Sequence, residues 1–311
     1  MSEGNKKILI VLNPKAGTKQ ANKYLADIIE IFCKAGYEVS VRTTLKRGDG
    51  KDYVAKNCRR FDIIVPVGGD GTFNEVVAGI RESGVHKTIG YIPAGSTNDY
   101  GESIGLSKKI LQAAKDIVSG EVKKFDLGEF NGRPFSYVAS FGMFTQASCQ
   151  ANQDLKNDLG HLAYIMQGFK ELKNIRKEHL KITVDGKEKE GDYVLGTISN
   201  STSIAGILKV KKKDVDLNDG LFEVILVKAP KDPAQFGKMI MTFTSANFSK
   251  HPDVIEFFKA KNITIQGNPA MPWVLDGEYQ KGSKNVEIKN CKSAISIIVP
   301  KKRNSSKKLE K

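Results

Sequence analysis

Cysteine and histidine are scarce in this 311-residue chain, four of each, and their scatter removes several kinds of protein from consideration. Cys33, Cys58, Cys149 and Cys291 form no Cys-x-x-Cys pair, so neither a disulfide framework nor a zinc site is indicated. His86, His161, His179 and His251 are equally dispersed, which argues against a histidine-rich metal site. No apolar run approaches the roughly 18 residues that a membrane span needs. Met1 to Lys7 leads straight into a short strand with no apolar core of a signal peptide, so a cytoplasmic protein is expected. Internal repeats, aromatic-basic interleaving and zinc-finger spacing are missing as well, which makes nucleic acid a weak partner. What is present is an ordinary globular composition, 40% hydrophobic and 27% charged, long enough for two cores. A formal charge of +14 suits an anionic partner, and an acidic membrane surface is the expected one.

The first part of the chain alternates strands and helices. Lys7–Leu12 reads as a strand, Ala21–Ala35 as an amphipathic helix ending at Gly36, and Tyr37–Thr43 as a second strand. A helix through Tyr53–Cys58 leads to an apolar strand, Phe61–Val67; Ile89–Pro93 reads as a fourth strand and Leu111–Val118 as a helix ended by Gly120. This order predicts a doubly wound parallel sheet whose ligands sit at the strand C-termini. Around Phe125–Gly128 the pattern changes. Strands are expected at 128–130, 133–141, 180–184, 193–199, 221–227, 262–266, 286–289 and 294–299, with helices at about 159–175 and 233–244. Strand following strand predicts an antiparallel sandwich. The expected division is an α/β domain over 1–127, joined by the last strand at about 294–300, a β-sandwich over 128–293, and a disordered basic tail from 301 to 311.

Three loops at predicted strand ends carry the chemistry. Gly68-Gly69-Asp70-Gly71-Thr72 joins an apolar strand to a helix. Glycines there let backbone approach a ligand, and the helix start favours an anion. Asp70 would repel a bare phosphate but suits a metal-bound one. Asn13-Pro14-Lys15-Ala16-Gly17-Thr18-Lys19 is not a Walker A loop, yet it offers a glycine, a hydroxyl and two lysines. Pro93-Ala94-Gly95-Ser96-Thr97-Asn98-Asp99 adds hydroxyls and a carboxylate, and alone it reads equally as a helix cap. Successive strand ends bring such loops to one crevice.

With Leu217-Asn218-Asp219-Gly220-Leu221-Phe222 and Leu275-Asp276-Gly277-Glu278-Tyr279, these motifs in this order resemble the bacterial diacylglycerol kinases and related lipid kinases, over nearly the whole chain. The resemblance implies a phosphofructokinase-like ATP domain, a C-terminal β-sandwich and an active site in the cleft between them. It implies ATP contacts at Asn13, Pro14, Lys15, Ala16, Gly17, Thr44, Gly68, Gly69, Asp70, Gly71, Thr72, Glu75 and Ser96; many relatives have threonine at the Ser96 position, which keeps the hydroxyl. Glu278 is the implied general base and Asp70 a second catalytic residue. One magnesium is implied at Asp219 and the backbone carbonyls of Asp216 and Leu221. Asp70, Asp99 and Asp126 match acidic positions gathered about a catalytic magnesium. Read alone, the Glu278 segment is a hairpin turn and Asn218-Asp219-Gly220 a β-turn.

The reaction expected from the resemblance is ATP- and Mg²⁺-dependent phosphorylation of a membrane lipid, diacylglycerol before a sphingoid base, ceramide or phosphatidylglycerol. The enzyme is then expected at the inner face of the membrane, held by its basic charge; Lys209, Lys211, Lys212, Lys213 and the C-terminal tail are candidates for that surface. A homodimer is also implied. NAD kinase shares Gly-Gly-Asp-Gly-Thr and ranks lower, because the other motifs belong to the lipid kinase pattern. A catalytically idle binding protein on the same fold is the remaining alternative, and its expected sign, loss of Asp70 or Glu278, is not seen.

Overall fold

The structure, a computed structural model, describes residues 6–17, 19–142, 176–201, 203–204, 208–209 and 215–301. The expected helix at 159–175, Lys211 to Lys213, Thr18 and the tail from 302 onward lie outside the described residues. The chain divides into two compact units between Lys124 and Phe125 and again between Ala294 and Ile295.

The first unit opens with β1 (Lys7–Leu12), whose Ile8, Leu9, Ile10 and Val11 have no exposed surface. A strand apolar on both faces belongs in the middle of a covered parallel sheet. It lies between β2 (Glu38–Thr43) and β3 (Ile63–Gly68), parallel to both. The expected fourth strand is two short ones, β4 (Thr88–Ile89) and β5 (Ile92–Pro93), each parallel to β3. They part at Gly90, where a Cβ would meet the Ile117 side chain at 2.9 Å. Before β2 the chain forms α1 (Gln20–Lys23) and α2 (Leu25–Lys34), so the long helix expected there breaks at Tyr24. Gly36, at φ 82°, ends the segment. α3 (Asp49–Asn57) precedes β3, and α4 (Asp70–Glu82) follows it. In α4 Phe73, Val76, Val77 and Ile80 are buried at the spacing of one helical face. α5 (Asp99–Ser103) is a short helix after β5, and α6 (Ile110–Ser119) buries Ile110, Ala113, Ala114 and Ile117 before Gly120 stops it. The end of the chain's last strand closes this sheet, with Ser296 and Ile297 parallel to Thr88 and Ile89.

The second unit is strand after strand. β6 (Glu121–Phe130) and β7 (Arg133–Phe135) form a hairpin. β8 (Val138–Gly142), β9 (Glu178–Val184) and β10 (Lys187–Ser199) follow. β10 links two layers of one continuous sheet: Lys187–Tyr193 pair with β9, while Leu195–Ser199 pair with β8. The register shift between Tyr193 and Leu195 marks the corner, as bulges do where a strand passes from one layer to the other. β11 (Ser203–Ile204) pairs with β12 (Leu208–Lys209). β13 (Phe222–Lys228) pairs with β10, and α7 (Pro233–Ser245), capped by Asp232, leads to β14 (Ile255–Ala260), a strand that the alternation pattern misses. β15 (Asn262–Gln266) lies between β9 and β18 (Asn285–Val299). β18 is one strand of 15 residues where two shorter ones are expected, because Ser293 takes φ 55° without ending it. β16 (Trp273–Leu275) pairs with β8 and with β17 (Glu278–Gln280).

The core between the two layers joins Phe141, Ile198, Phe222, Val224, Trp273 and Leu275 from one side to Leu180, Ile182, Ile263, Ile265, Val286 and Ile288 from the other. Trp273 is fully buried, with Phe130 and Phe141 ring centres 4.9 and 5.0 Å away. At roughly 1.5–3 kcal/mol per buried large apolar side chain, this core is the main favourable term in the unit.

Candidate active site

In the first unit the three loops touch. The Asn13 Nδ2 donates to Thr72 Oγ1 at 3.3 Å, linking the loop after β1 to the start of α4. The Ala94 N–H donates to the Gly68 carbonyl at 2.7 Å, linking the loop after β5 to the end of β3. Glycine is required where they meet. A Cβ on Gly17 would lie 2.5 Å from the Ala94 carbonyl oxygen, and φ at Gly17 is 51°. A Cβ on Gly95 would run into Gly69 Cα. Asn98 braces this turn, its Oδ1 accepting from the Gly95 N–H and its Nδ2 donating to the Gly95 carbonyl, both at 2.9 Å. The loops therefore leave bare backbone and the first turn of a helix at the C-terminal end of the sheet, the kind of surface that binds phosphates. Ser96 and Lys15 are exposed there.

Asp70, the first residue of α4, is half-buried, and its carboxylate accepts from the Asp99 and Tyr100 amides at 3.1 and 3.3 Å. Asp70 thereby holds the start of α5, and Asp99 itself is buried. Beneath them Phe73 stacks between Tyr91 and Tyr100, with ring centres 4.9 and 4.8 Å away. The Tyr91 hydroxyl donates to the Gly68 carbonyl at 3.4 Å. Burial, and secondly the charge of Asp70, keep that phenol protonated. Neither tyrosine stands in a motif, so the sequence offers no sign of this support. Thr44 is buried after β2, its N–H donating to the Leu12 carbonyl at 2.9 Å. Glu75 faces backbone: its two oxygens accept from the Gly48 and Gly50 amides at 2.7 and 3.0 Å.

In the second unit Asp276 and Gly277 form a two-residue turn between β16 and β17, with φ values of 50° and 81°. Asp-Gly with both residues left-handed is the favoured tight hairpin. The turn reading of this segment is thus correct, and it does not compete with a chemical one. Asp276 is buried and its carboxylate accepts from the amides of Ser136, Tyr137 and Val138, which interrupts the strand expected over 133–141. That clamp sets the position of Glu278. Arg133 then grips the hairpin, donating to Glu278 Oε2 at 2.8 Å and to Gln280 Oε1 at 2.7 Å. The Glu278 side chain keeps 29% of its surface exposed, so a reactant can reach it.

Asp126 has no exposed surface, and its two oxygens accept from the Gly220 and Ser293 amides at 2.6 and 2.7 Å. Burial raises its pKa, the two amides oppose that, and the nearby Asp219 adds to it. Asp219 accepts from the Leu221 amide at 2.9 Å and pairs with the Lys259 ammonium at 2.7 Å. Asp216 is exposed and turns back to the Asn218 amide at 3.0 Å. Among the described residues no group of three or more His, Cys, Asp and Glu side chains is placed to hold a metal ion. The Asp216–Leu221 turn nonetheless offers carboxylate and carbonyl oxygens of the kind magnesium prefers, while the Asp219 carboxylate is paired with the Lys259 ammonium. Asp126, Asp216, Asp219 and Glu278 lie in the second unit, whereas Asp70, Asp99 and the loop residues lie in the first. Among the described residues no helix is long and apolar enough to cross a membrane.

Residues 7–130 match the family described as diacylglycerol kinase catalytic domain, and residues 137–299 match the YegS C-terminal NAD kinase beta sandwich-like domain. The chain is 33% identical over 303 residues to the diacylglycerol kinase of Bacillus subtilis (strain 168), covering 96% of this chain and 98% of that one. It is 34% identical over 293 residues to the diacylglycerol kinase of Staphylococcus haemolyticus (strain JCSC1435), covering 94% and 88%. The crystal structure of a diacylglycerol kinase from Bacillus anthracis str. Sterne superposes with a TM-score of 0.74 at 24% identity, covering 95% of this chain and 97% of that one. A second chain solved from that organism gives 0.80 at 25% identity, covering 96% and 98%.

Proposed function

The chain belongs to the diacylglycerol kinase family and is a lipid kinase, and from that premise we propose that it transfers the γ-phosphoryl group of ATP to diacylglycerol, giving phosphatidic acid. The observation that carries this reading is the contact among Gly17, Gly69 and Gly95, which builds a backbone cradle beside Asp70.

In the proposal the loops of the first unit bind the nucleotide. Asn13 to Gly17, Thr44, Gly68 to Thr72 and Ser96 hold ATP through backbone amides, hydroxyls and the Lys15 ammonium. Glycine contacts and the Asn98 brace fix the cradle's shape from within the protein, so little reorganisation is needed when charge develops on the transferred group. Asp70 and Asp99 would hold catalytic magnesium, and Asp219 with the Asp216 and Leu221 carbonyls a second ion. Bound there, the cation would neutralise phosphate charge. Glu278 takes the proton of the acceptor hydroxyl as its oxygen attacks phosphorus, and ADP leaves with the broken bond's electron pair. Arg133 fixes one Glu278 oxygen and so orients the carboxylate.

The net charge of +14 suits attachment to an acidic membrane surface, where the lipid acceptor resides. The deciding experiment supplies radiolabelled ATP, a panel of lipids in mixed micelles and, in a parallel reaction, NAD, with Mg²⁺ or with chelator. Labelled phosphatidic acid, formed only with Mg²⁺, is expected. Labelling of NAD with no labelled lipid would overturn the proposal.

A further inference from the structure

The turn between β2 and α3 is held by two carboxylates that accept from its backbone amides. Asp49 accepts from the Leu45 and Lys46 amides at 2.8 and 3.1 Å, and Glu75 accepts from Gly48 and Gly50 at 2.7 and 3.0 Å. The first pair is local and shapes the turn. The second reaches across from α4, 25 and 27 residues away in the chain, so it ties the turn to the helix that begins with Asp70. The fit is close: a Cβ on Gly50 would lie 2.7 Å from Glu75 Oε2. Gly48, at φ 87°, directs its N–H at Glu75 in a conformation that glycine adopts freely.

The family resemblance places Glu75 among the residues that contact ATP. Electrostatics disfavours contact with the triphosphate, because a carboxylate facing it is a like-charge contact. Both oxygens of Glu75 are instead taken by amides, which neutralise part of its charge where it stands. Thr44 precedes this turn in the chain, and its N–H continues the pairing of β2 with the end of β1 at Leu12.

We infer that Glu75 is a positioning residue: its carboxylate clamps the Gly48–Gly50 turn onto α4, and it reaches ATP only through the backbone that carries Thr44. The loop after β2 thereby becomes a fourth wall of the nucleotide site, held by the same helix that presents Asp70. This inference rests on the ATP-binding reading above.

Two substitutions approach the clamp from opposite sides. Glu75→Ala removes the acceptor, and Gly50→Ala pushes a methyl group against it while leaving Glu75 in place. Binding of ATP to the full-length protein is measured by titration calorimetry, beside kcat, KM for ATP and a thermal melt. Both variants are expected to weaken ATP binding by roughly tenfold, the loss expected for charge-assisted hydrogen bonds that order a loop. Turnover at saturating ATP should stay within about twofold, since no transition-state interaction is removed. Glu75→Gln keeps one acceptor oxygen and should fall between wild type and Glu75→Ala. Full loss in Glu75→Ala with unchanged affinity in a folded Gly50→Ala would mean that Glu75 touches ATP directly, and would overturn the inference. Unchanged affinity in both would overturn it as well. If Glu75→Ala fails to fold, the Gly50→Ala and Glu75→Gln pair still decides. Failure of the ATP reading itself shows separately, as absence of ATP binding by the wild-type protein.

Discussion

The two units hold their candidate residues in place by opposite means. In the first, backbone meets backbone: Gly17 against Ala94, Gly69 against Gly95, with side chains kept out. In the second, buried carboxylates reach over to seize amides from distant segments: Asp276 holds Ser136 to Val138, and Asp126 holds Gly220 and Ser293. A site made of close backbone contact must spell glycine at fixed places, and so leaves a motif. A site made of carboxylate clamps joins residues about which the local sequence says little. The lesson is that a motif's visibility reports how a site is built rather than how much it contributes.

The comparison can be broken most severely at Glu278. If the second unit supplies the base, Glu278→Gln lowers turnover by roughly 10²–10⁴-fold, the usual range for general acid–base catalysis, with ATP affinity unchanged. Steady-state kinetics in lipid micelles beside a thermal melt would check this; an unchanged kcat in a folded variant removes the assignment. The parallel test at Asp70 is better made with asparagine than alanine, because alanine would also strand the Asp99 and Tyr100 amides.

A smaller effect concerns the buried polar network of the second unit. Glu223 is fully buried, and burial pushes its pKa up to about 7, against the pull of Lys259, 3.3 Å away on β14. Asp219 also faces that lysine and adds to the rise, and Ser199 lies opposite on β10. The unfolded chain ionises this carboxyl near its ordinary value of 4.5, while the folded protein keeps it protonated to about 7. Stability from this group is therefore lost as pH rises between those two values and is constant above them. Relative to wild type, Glu223→Gln should gain up to about 3 kcal/mol across that window, from 2.5 units at 1.36 kcal/mol each. Urea melts at pH 4.5, 6 and 8 would show it, and parallel curves for the two proteins would refute it.

Gly95→Ala tests the backbone cradle. The added methyl group meets Gly69 Cα, and the variant should lose about 1–3 kcal/mol of stability, as overpacked sites do. It should also bind ATP more weakly. Gly237 is the control. It lies inside α7 with nothing within 4 Å of its would-be Cβ, so Gly237→Ala should stabilise by roughly 0.5–1 kcal/mol through helix propensity. Melting temperatures and ATP titrations of the pair sharpen the contrast between a glycine that is required and one that is tolerated.

Much of the first unit was legible in advance. Ile8 to Val11, Ile63 to Val67 and the spacing of Phe73, Val76, Val77 and Ile80 state their burial and period directly. The break at Gly90 was not, because it answers Ile117 on another element. In the second unit β15 and α7 were readable from their own residues, whereas β14 and the join of two predicted strands into β18 were not. Ser293 takes a left-handed turn within β18 where its amide meets Asp126, 167 residues away.

Local sequence was enough to mark the two fold classes, the three glycine-bearing loops and the Asp-Gly hairpin, because glycine positions, apolar periods and turn pairs are local demands of backbone sterics and burial. Only the tertiary structure decided that Asp276 clamps 136–138, that Arg133 grips Glu278, that Lys259 stands at Asp219 and that Glu75 serves Gly48 and Gly50. Each of these joins a charged group to a partner 25 to 145 residues distant. Such pairings follow from which strand ends and helix starts the fold brings together, and no local pattern records them.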